Sequence, residues 1–250
     1  MDYTGYIADK FDLYIFDLDG TLVDSLGDLT GAVNAMLASH GLPPVGGEIV
    51  RRGVGIGSRN LLFRSFAMAA RLAGASCPAH IADTGILADP DPYTSNERAD
   101  RYPAFVSLIA ATMPKYHDHY MANCTGATFF YPGMRDWLEH LAARGHKMAV
   151  LTNKPHVATL EIINNLGVGH FFYKAAGPES IGALKPDPAG IVLMMKETGI
   201  PPARTIMIGD SMVDIETGRN AGVAVCGITG GFGEDADLRA ARCDVLIERI

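Results

Sequence analysis

Residues 14–24 read YIFDLDGTLVD. Tyr14, Ile15 and Phe16 form a short apolar run of the kind that becomes a buried strand. The run ends on two carboxylates, Asp17 and Asp19, and Gly20 then permits a sharp turn before Thr21. Two acids two residues apart beyond an apolar strand repel one another and raise one pKa unless a cation sits between them. Mg²⁺, which takes oxygen ligands, supplies such a cation. One carboxylate can then attack phosphorus while the other trades a proton. The competing reading is a surface turn, since DLDG is itself turn-like.

The rest of the chain bears on that choice. It has 250 residues, 48% hydrophobic and 20% charged, which is ordinary globular composition. The length suits one sizeable domain, or a core with a smaller second domain. A net charge of -7 argues against a nucleic-acid surface. An acidic protein that handles phosphate must make its positive charge locally, from lysine, metal and backbone amides. Cys77, Cys124, Cys226 and Cys243 show no C-x-x-C spacing and read as reduced, small apolar residues. The first residues, MDYTGYIADKFD, contain acids and no long apolar run, unlike a signal peptide. No stretch has the length and apolarity of a membrane span. These features predict a cytoplasmic enzyme with no membrane partner.

After Asp24, Ser25 is placed to cap a helix with Asp28 three residues on, and Leu26, Leu29, Val33, Met36 and Leu37 recur at helical spacing up to Gly41. A Gly- and Arg-rich segment, Arg51–Asn60, precedes a helical stretch from Leu61 to Leu72. Asp89-Pro90-Asp91-Pro92 reads as exposed loop. Phe105–Tyr120 reads as helix with a break at Pro114. From Thr128 strands and helices alternate. The strands are Lys147–Leu151, Phe171–Ala175, Thr205–Ile208, Val223–Ile228 and the edge candidate Val245–Ile247. Helices lie between, including one capped by Asp187 and started by Pro188. This alternation predicts an α/β fold, a Rossmann-like parallel sheet with helices on both faces. Ligands bind such sheets at the carboxyl ends of the strands. Asp17, Thr152 and Asp210 all lie just past predicted strand ends.

The Thr152 hydroxyl, in AVLTNK, can donate to a phosphate oxygen or simply form a local turn. Lys185, in ALKPDP, is biased to extended backbone by Pro186. It can place a charge on a phosphoryl oxygen and on Asp17, or lie on the surface as most lysines do. Asp210 and Asp214, in IGDSMVDIETG, are four apart at a strand-to-helix junction and can face one point. The alternative is helix capping by Asp210 and dipole compensation by Asp214.

In order, D-x-D-G-T, T-N, K-P and G-D-x-x-x-D resemble the motifs of the haloacid dehalogenase-like hydrolases. The likeness covers Phe11–Asp24 and Thr128–Cys243. It implies that Asp17 is the nucleophile that becomes an aspartyl phosphate, and that Asp19 is first general acid and then base. It implies that Thr152 and Lys185 hold the phosphoryl group, with Asn153 beside them. It implies Mg²⁺ held by Asp17, the Asp19 carbonyl and Asp210, with Asp214 helping to hold the metal or its waters. Asp19 argues against the dehalogenase branch, in which the resemblance implies that no second acid is required. Residues 1–24 and 128–250 then form a discontinuous core, and 25–127 an inserted helical cap.

Within the insertion, Gly53-x-Gly55-x-Gly57-Ser58-Arg59 is similar to the glycine-rich substrate loop of phosphoglycolate phosphatases. Gly55 and Gly57 would let amides approach an anion, and Arg59 would pair with a carboxylate. A plain turn between helices is the alternative. Tyr131-Pro132-Gly133 and the segment Gly227–Gly233 are also similar to that subfamily, whereas Cys77–Pro114 has no match. His117 and His119 point to different faces of a helix and read as surface residues. The expected activity is Mg²⁺-dependent phosphomonoester hydrolysis of a small phosphorylated metabolite, with 2-phosphoglycolate leading, by a monomer or homodimer. A pyrophosphatase, a nucleotidase or a beta-phosphoglucomutase-like phosphotransferase would use the same core, and a phosphate-binding sensor would not need both Asp17 and Asp19.

Overall fold

The computed structural model describes residues 10–88 and 101–249. The chain forms two compact units, Met1–Ser25 with Thr128–Ile250, and Leu26–Ala127. The loop expected at residues 89–92 and the residues before Lys10 lie outside the described residues.

The first unit is built on a six-stranded sheet. Its strands are β1 (Leu13–Phe16), β4 (Lys147–Leu151), β5 (Lys174–Ala176), β6 (Thr205–Gly209), β7 (Ala224–Ile228) and β8 (Val245–Ile247). A two-stranded antiparallel ribbon pairs β2 (Val23–Asp24) with β3 (Phe129–Phe130). The large sheet runs β5-β4-β1-β6-β7-β8, and every pair in it is parallel. The predicted α/β, Rossmann-like fold is therefore present.

Each strand alternates its side chains between two helix-covered faces. On one face Leu13, Ile15, Ala149, Leu151 and Met207 pack against Ile191 and Met194 of the helix Ala189–Thr198. On the other, Phe16 meets Trp137 of the helix Met134–Ala143 edge-on, with ring centroids 5.3 Å apart. Both rings are buried. From β1 the chain moves outward through β4 and β5, then returns to β6 and moves the other way. The strand order therefore reverses beside β1, and the rule for open α/β sheets places the ligand crevice there, at the carboxyl ends of β1 and β6.

Several boundaries differ from the sequence expectation. The strand expected over Phe171–Ala175 starts only at Lys174, because Gly169–Phe171 forms a tight 3₁₀ turn first. The ribbon of β2 and β3 was not anticipated, since two-residue strands carry no periodicity.

The second unit comprises the helices Leu26–Ser39, Gly47–Arg51, Ser58–Ala73, Ala79–Ala82 and Pro103–Asn123, with short 3₁₀ turns at Gly74–Ser76 and Ile86–Ala88. The break expected at Pro114 does not occur. Proline removes one ladder bond, but Phe105, Ile109, Thr112, Tyr116 and Tyr120 are buried along one side and hold the helix through it. Asp28, expected in a capping box with Ser25, instead accepts a hydrogen bond from the Ala127 amide at 2.8 Å. His117 is exposed and His119 half-buried.

Trp137→Ala should destabilise the protein by about 3–5 kcal/mol, the usual result of emptying a large buried aromatic site. Urea unfolding of the variant measures this. A loss below about 1 kcal/mol, the cost of a typical point substitution, would mean that this face of the sheet is not packed as described.

Candidate active site

Register places the first acid. Phe16 pairs with Val150 on one side and Ile208 on the other. Asp17 then leaves the sheet with its amide donating to the Ile208 carbonyl at 2.9 Å. Its carboxylate is buried and meets the Lys185 ammonium at 2.7 Å through Oδ1. The same ammonium lies 2.6 Å from Asp214 Oδ1. Lys185 is thus a buried bridge between two carboxylates, not the surface lysine of the alternative reading.

The other acids are held from behind. Asp214 lies in the first turn of the helix Met212–Asn220, where its Oδ2 accepts from the Ser211 hydroxyl at 2.7 Å and the Ser211 amide at 3.1 Å. Asp210 follows β6. Its Oδ1 accepts from Thr21 Oγ1 at 2.6 Å, and its Oδ2 from the amides of Phe232 and Gly233 at 2.7 and 3.1 Å. Two glycines of the Gly227–Gly233 segment have a steric reason to be glycine. A Cβ on Gly231 or Gly233 would run into Asp210.

Oxygens of Asp17, Asp210 and Asp214 all lie within 4.8 Å of one another. Among the described residues this is the one grouping suited to a metal ion, and His117 and His119 do not join it. The electrostatics fit a cation. Burial, followed by the charges of Asp214 and Asp210, outweighs Lys185 and pushes the Asp17 carboxyl up to about 8. Burial and Asp214 push Asp210 up to about 6, against the hydrogen bonds from Thr21, Phe232 and Gly233. Burial opposes the Lys185 charge, yet Asp17 and Asp214 outweigh it and hold its pKa above the ordinary lysine value. Carboxylates with pKa values raised in this way are stabilised as anions by a divalent cation, and an all-oxygen donor set suits a hard one.

Asp19 is buried as well and carries a partner that the sequence reading did not anticipate. Lys154 Nζ lies 2.8 Å from both Asp19 oxygens, and Ser25 Oγ donates to Oδ1 at 2.6 Å. Ser25, expected as a helix cap, points its hydroxyl at this acid. Lys154 is the third residue of the T-N-K string that follows β4, and its position two residues past Thr152 is the available signal.

Thr152 is buried, and its Oγ1 accepts from the Lys154 amide at 3.2 Å, which leaves the hydroxyl hydrogen available to another acceptor. Asn153, expected beside the substrate, is engaged elsewhere. Its Oδ1 accepts from the Lys185 amide at 2.7 Å, and its Nδ2 donates to the Lys185 carbonyl at 3.0 Å. Both ends of the amide hold the backbone of the bridging lysine. Arg249, also unanticipated, donates to the carbonyls of Gly20 and Thr21 at 3.0 and 2.7 Å and stacks on Tyr131 at 3.6 Å. It clamps the turn that carries Asp19.

Gly55, Gly57 and Arg59 belong to the second unit. Gly55 and Gly57 have φ of 91° and 89°, a left-handed region that disfavours other residues. Arg59 is exposed in the first turn of the helix Ser58–Ala73.

The strand ends of this parallel α/β sheet thus carry a centre of carboxylates and lysines, and the chain as a whole is similar to known proteins. The family model for haloacid dehalogenase-like hydrolases matches residues 14–228. Phosphoglycolate phosphatase 1 of Pseudomonas aeruginosa is 34% identical over 238 residues, 95% of this chain and 76% of that protein. The phosphoglycolate phosphatase of Haemophilus influenzae is 31% identical over 235 residues, 94% of this chain and 93% of its own. A crystal structure of a predicted phosphoglycolate phosphatase from Haemophilus somnus superposes with a TM-score of 0.75 at 28% identity, covering 96% of this chain and 95% of that one. The chain belongs to the haloacid dehalogenase-like hydrolase family. Within it, the likeness is to the phosphoglycolate phosphatases, and the enzyme class is phosphoric monoester hydrolase. Among the described residues no helix is long and apolar enough to cross a membrane.

Asn153→Ala should leave the Lys185 amide unpaired, at a cost of about 1–3 kcal/mol for a buried donor. The expected result is a lower Tm together with a lower kcat, and a KM changed little. A raised KM at unchanged Tm would return Asn153 to the substrate.

Proposed function

We propose that the protein is a Mg²⁺-dependent phosphatase that works through an aspartyl phosphate on Asp17 and acts on a small phosphorylated metabolite, 2-phosphoglycolate foremost. The observation that carries this reading is charge. Asp17, Asp19, Asp210 and Asp214 are buried, and among the described residues the cations paired with them are Lys154 and Lys185. The excess of two negative charges matches one divalent cation. Asp17, Asp210, Asp214 and the Asp19 carbonyl would hold it. When bound, Mg²⁺ would offset charge on the phosphoryl oxygens and on the acids around it.

The chain's own residues then divide the work. Asp17 attacks phosphorus as its bond to the leaving oxygen breaks, and Asp19 gives that oxygen a proton. Lys185 fixes the Asp17 carboxylate and faces the phosphoryl charge, and the Thr152 hydroxyl donates to a phosphoryl oxygen. In the second half Asp19 takes a proton from water as that water attacks phosphorus. The bond to Asp17 breaks, and inorganic phosphate is released.

Residues 25–127 are proposed to act as the cap. The core acids do not distinguish one ester from another, so the Gly53–Arg59 segment is assigned the non-phosphate end of the substrate. A guanidinium can hold a carboxylate by two hydrogen bonds. The names of the relatives support 2-phosphoglycolate.

Two outcomes test the reading. Asp17→Asn should remain folded and lose turnover, because an amide is a poor nucleophile. Chelation should abolish wild-type activity, Mg²⁺ should restore it, and Ca²⁺, with more and longer ligand bonds, should not. Equal phosphate release in chelator and in Mg²⁺ would contradict the metal.

Arg59→Ala should lower kcat/KM on 2-phosphoglycolate by about one to two decades, the worth of a charge-assisted contact. It should leave p-nitrophenyl phosphate nearly unchanged. An unaltered ratio of the two efficiencies would make Arg59 structural.

A further inference from the structure

Lys154 is a buried charge to which the mechanism above gives no step. Its side chain is 2% exposed, and Asp19 opposite is 10% exposed. Withdrawing both ions from water is costly, so the pair is weak evidence for added stability. The base of this lysine is held as well as its tip. Its amide donates to Thr152 Oγ1 at 3.2 Å. Gly177 packs so closely beneath it that a Cβ there would lie 2.6 Å from the Lys154 carbonyl and 2.7 Å from His156 Cα.

We propose that Lys154 is a positioning residue for Asp19, aiming Asp19 Oδ2 at the leaving-group oxygen. The hydrogen bonds select the atom. Asp19 Oδ1 accepts from both Ser25 and Lys154, whereas Oδ2 accepts from Lys154 alone among the described residues. Oδ2 is therefore the oxygen with a lone pair to spare. In the first step the proton on Oδ2 passes to the leaving oxygen, which takes the electron pair of its broken bond to phosphorus. In the second step the same atom takes a proton from the attacking water. A two-point hold from one ammonium, with Ser25 on the far oxygen, stops the carboxylate from rotating between these steps. The proposal rests on Asp19 as the acid–base group.

The test uses esters that differ in need of a proton. An alkyl phosphate expels a poor leaving group, whereas p-nitrophenyl phosphate expels one that leaves unprotonated. Positioned general acid catalysis is worth about 10²–10⁴-fold. Lys154→Met should therefore lower kcat/KM on the alkyl ester by about two decades or more. On the nitrophenyl ester the loss should stay within about one decade, with inhibition by inorganic phosphate unchanged. Equal losses on both esters, with weakened phosphate inhibition, would make Lys154 a phosphate ligand and overturn the proposal.

Asp19→Asn and the double variant Asp19→Asn with Lys154→Met complete a cycle that also serves if the single lysine variant unfolds. If Lys154 acts through Asp19, the second substitution should cost nothing further once Asp19 is gone. A further loss of tenfold or more in the double variant would overturn the proposal. Wild-type turnover by Asp19→Asn would instead remove the acid–base reading itself, which is a different result from an inactive Asp19→Asn beside an unimpaired Lys154→Met.

Discussion

The Lys185 ammonium, 2.7 Å from Asp17 and 2.6 Å from Asp214, is the contact on which the site depends. An acid released from the end of a buried parallel strand has no water to keep it ionised. It needs positive charge supplied by the protein. Lysine is a compact point charge that can sit between two carboxylates, which a planar guanidinium does less readily. Around that bridge the chain places supports that touch nothing reactive. Asn153 grips the lysine backbone, Ser211 caps against Asp214, and Thr21 with the amides of Phe232 and Gly233 holds Asp210. Each support comes from a segment following a different strand. The parallel sheet is what brings them together, because all its strands end on the same side.

The balance is incomplete by design of the residue types. Burial pushes Asp17 up to about 8 and Asp210 up to about 6, so these acids resist sharing the crevice as anions. A divalent cation would resolve the conflict, and the proposed chemistry uses the same feature, since a carboxylate kept close to charge and away from water is oriented rather than solvated. Lys154 repeats the device on the second acid. Two buried ammonium groups thus act on two acids two residues apart, one steering the proposed nucleophile and the other the proposed proton carrier.

Much of this was legible in the sequence. Apolar runs at Tyr14–Phe16, Lys147–Leu151 and Thr205–Ile208, spaced by helical patterns, are enough to call a parallel sheet. Acids or hydroxyls just past each run then fall on one edge of it. What escaped was whatever depends on which side chain meets which across the fold. Asn153 reads as a polar neighbour of Thr152, and only its pairing with Lys185, 32 residues away, shows its task. Lys154 and Arg249 look like ordinary surface cations until burial and partners are known. Pro114 signals a break locally, whereas five buried side chains override it. Local rules lose where tertiary contacts are dense, and they hold for the strands, whose burial on both faces leaves a pattern in the sequence itself.

The central claim is a covalent bond from phosphorus to Asp17. The direct measurement is to quench the enzyme with acid during turnover, reduce with borohydride, and map the products by mass spectrometry. Reduction of an acyl phosphate converts its aspartate to homoserine. The account predicts homoserine at the position of Asp17 and aspartate unchanged at Asp19, Asp210 and Asp214. Modification at Asp19, or none at any carboxylate while phosphate is being released, would contradict it.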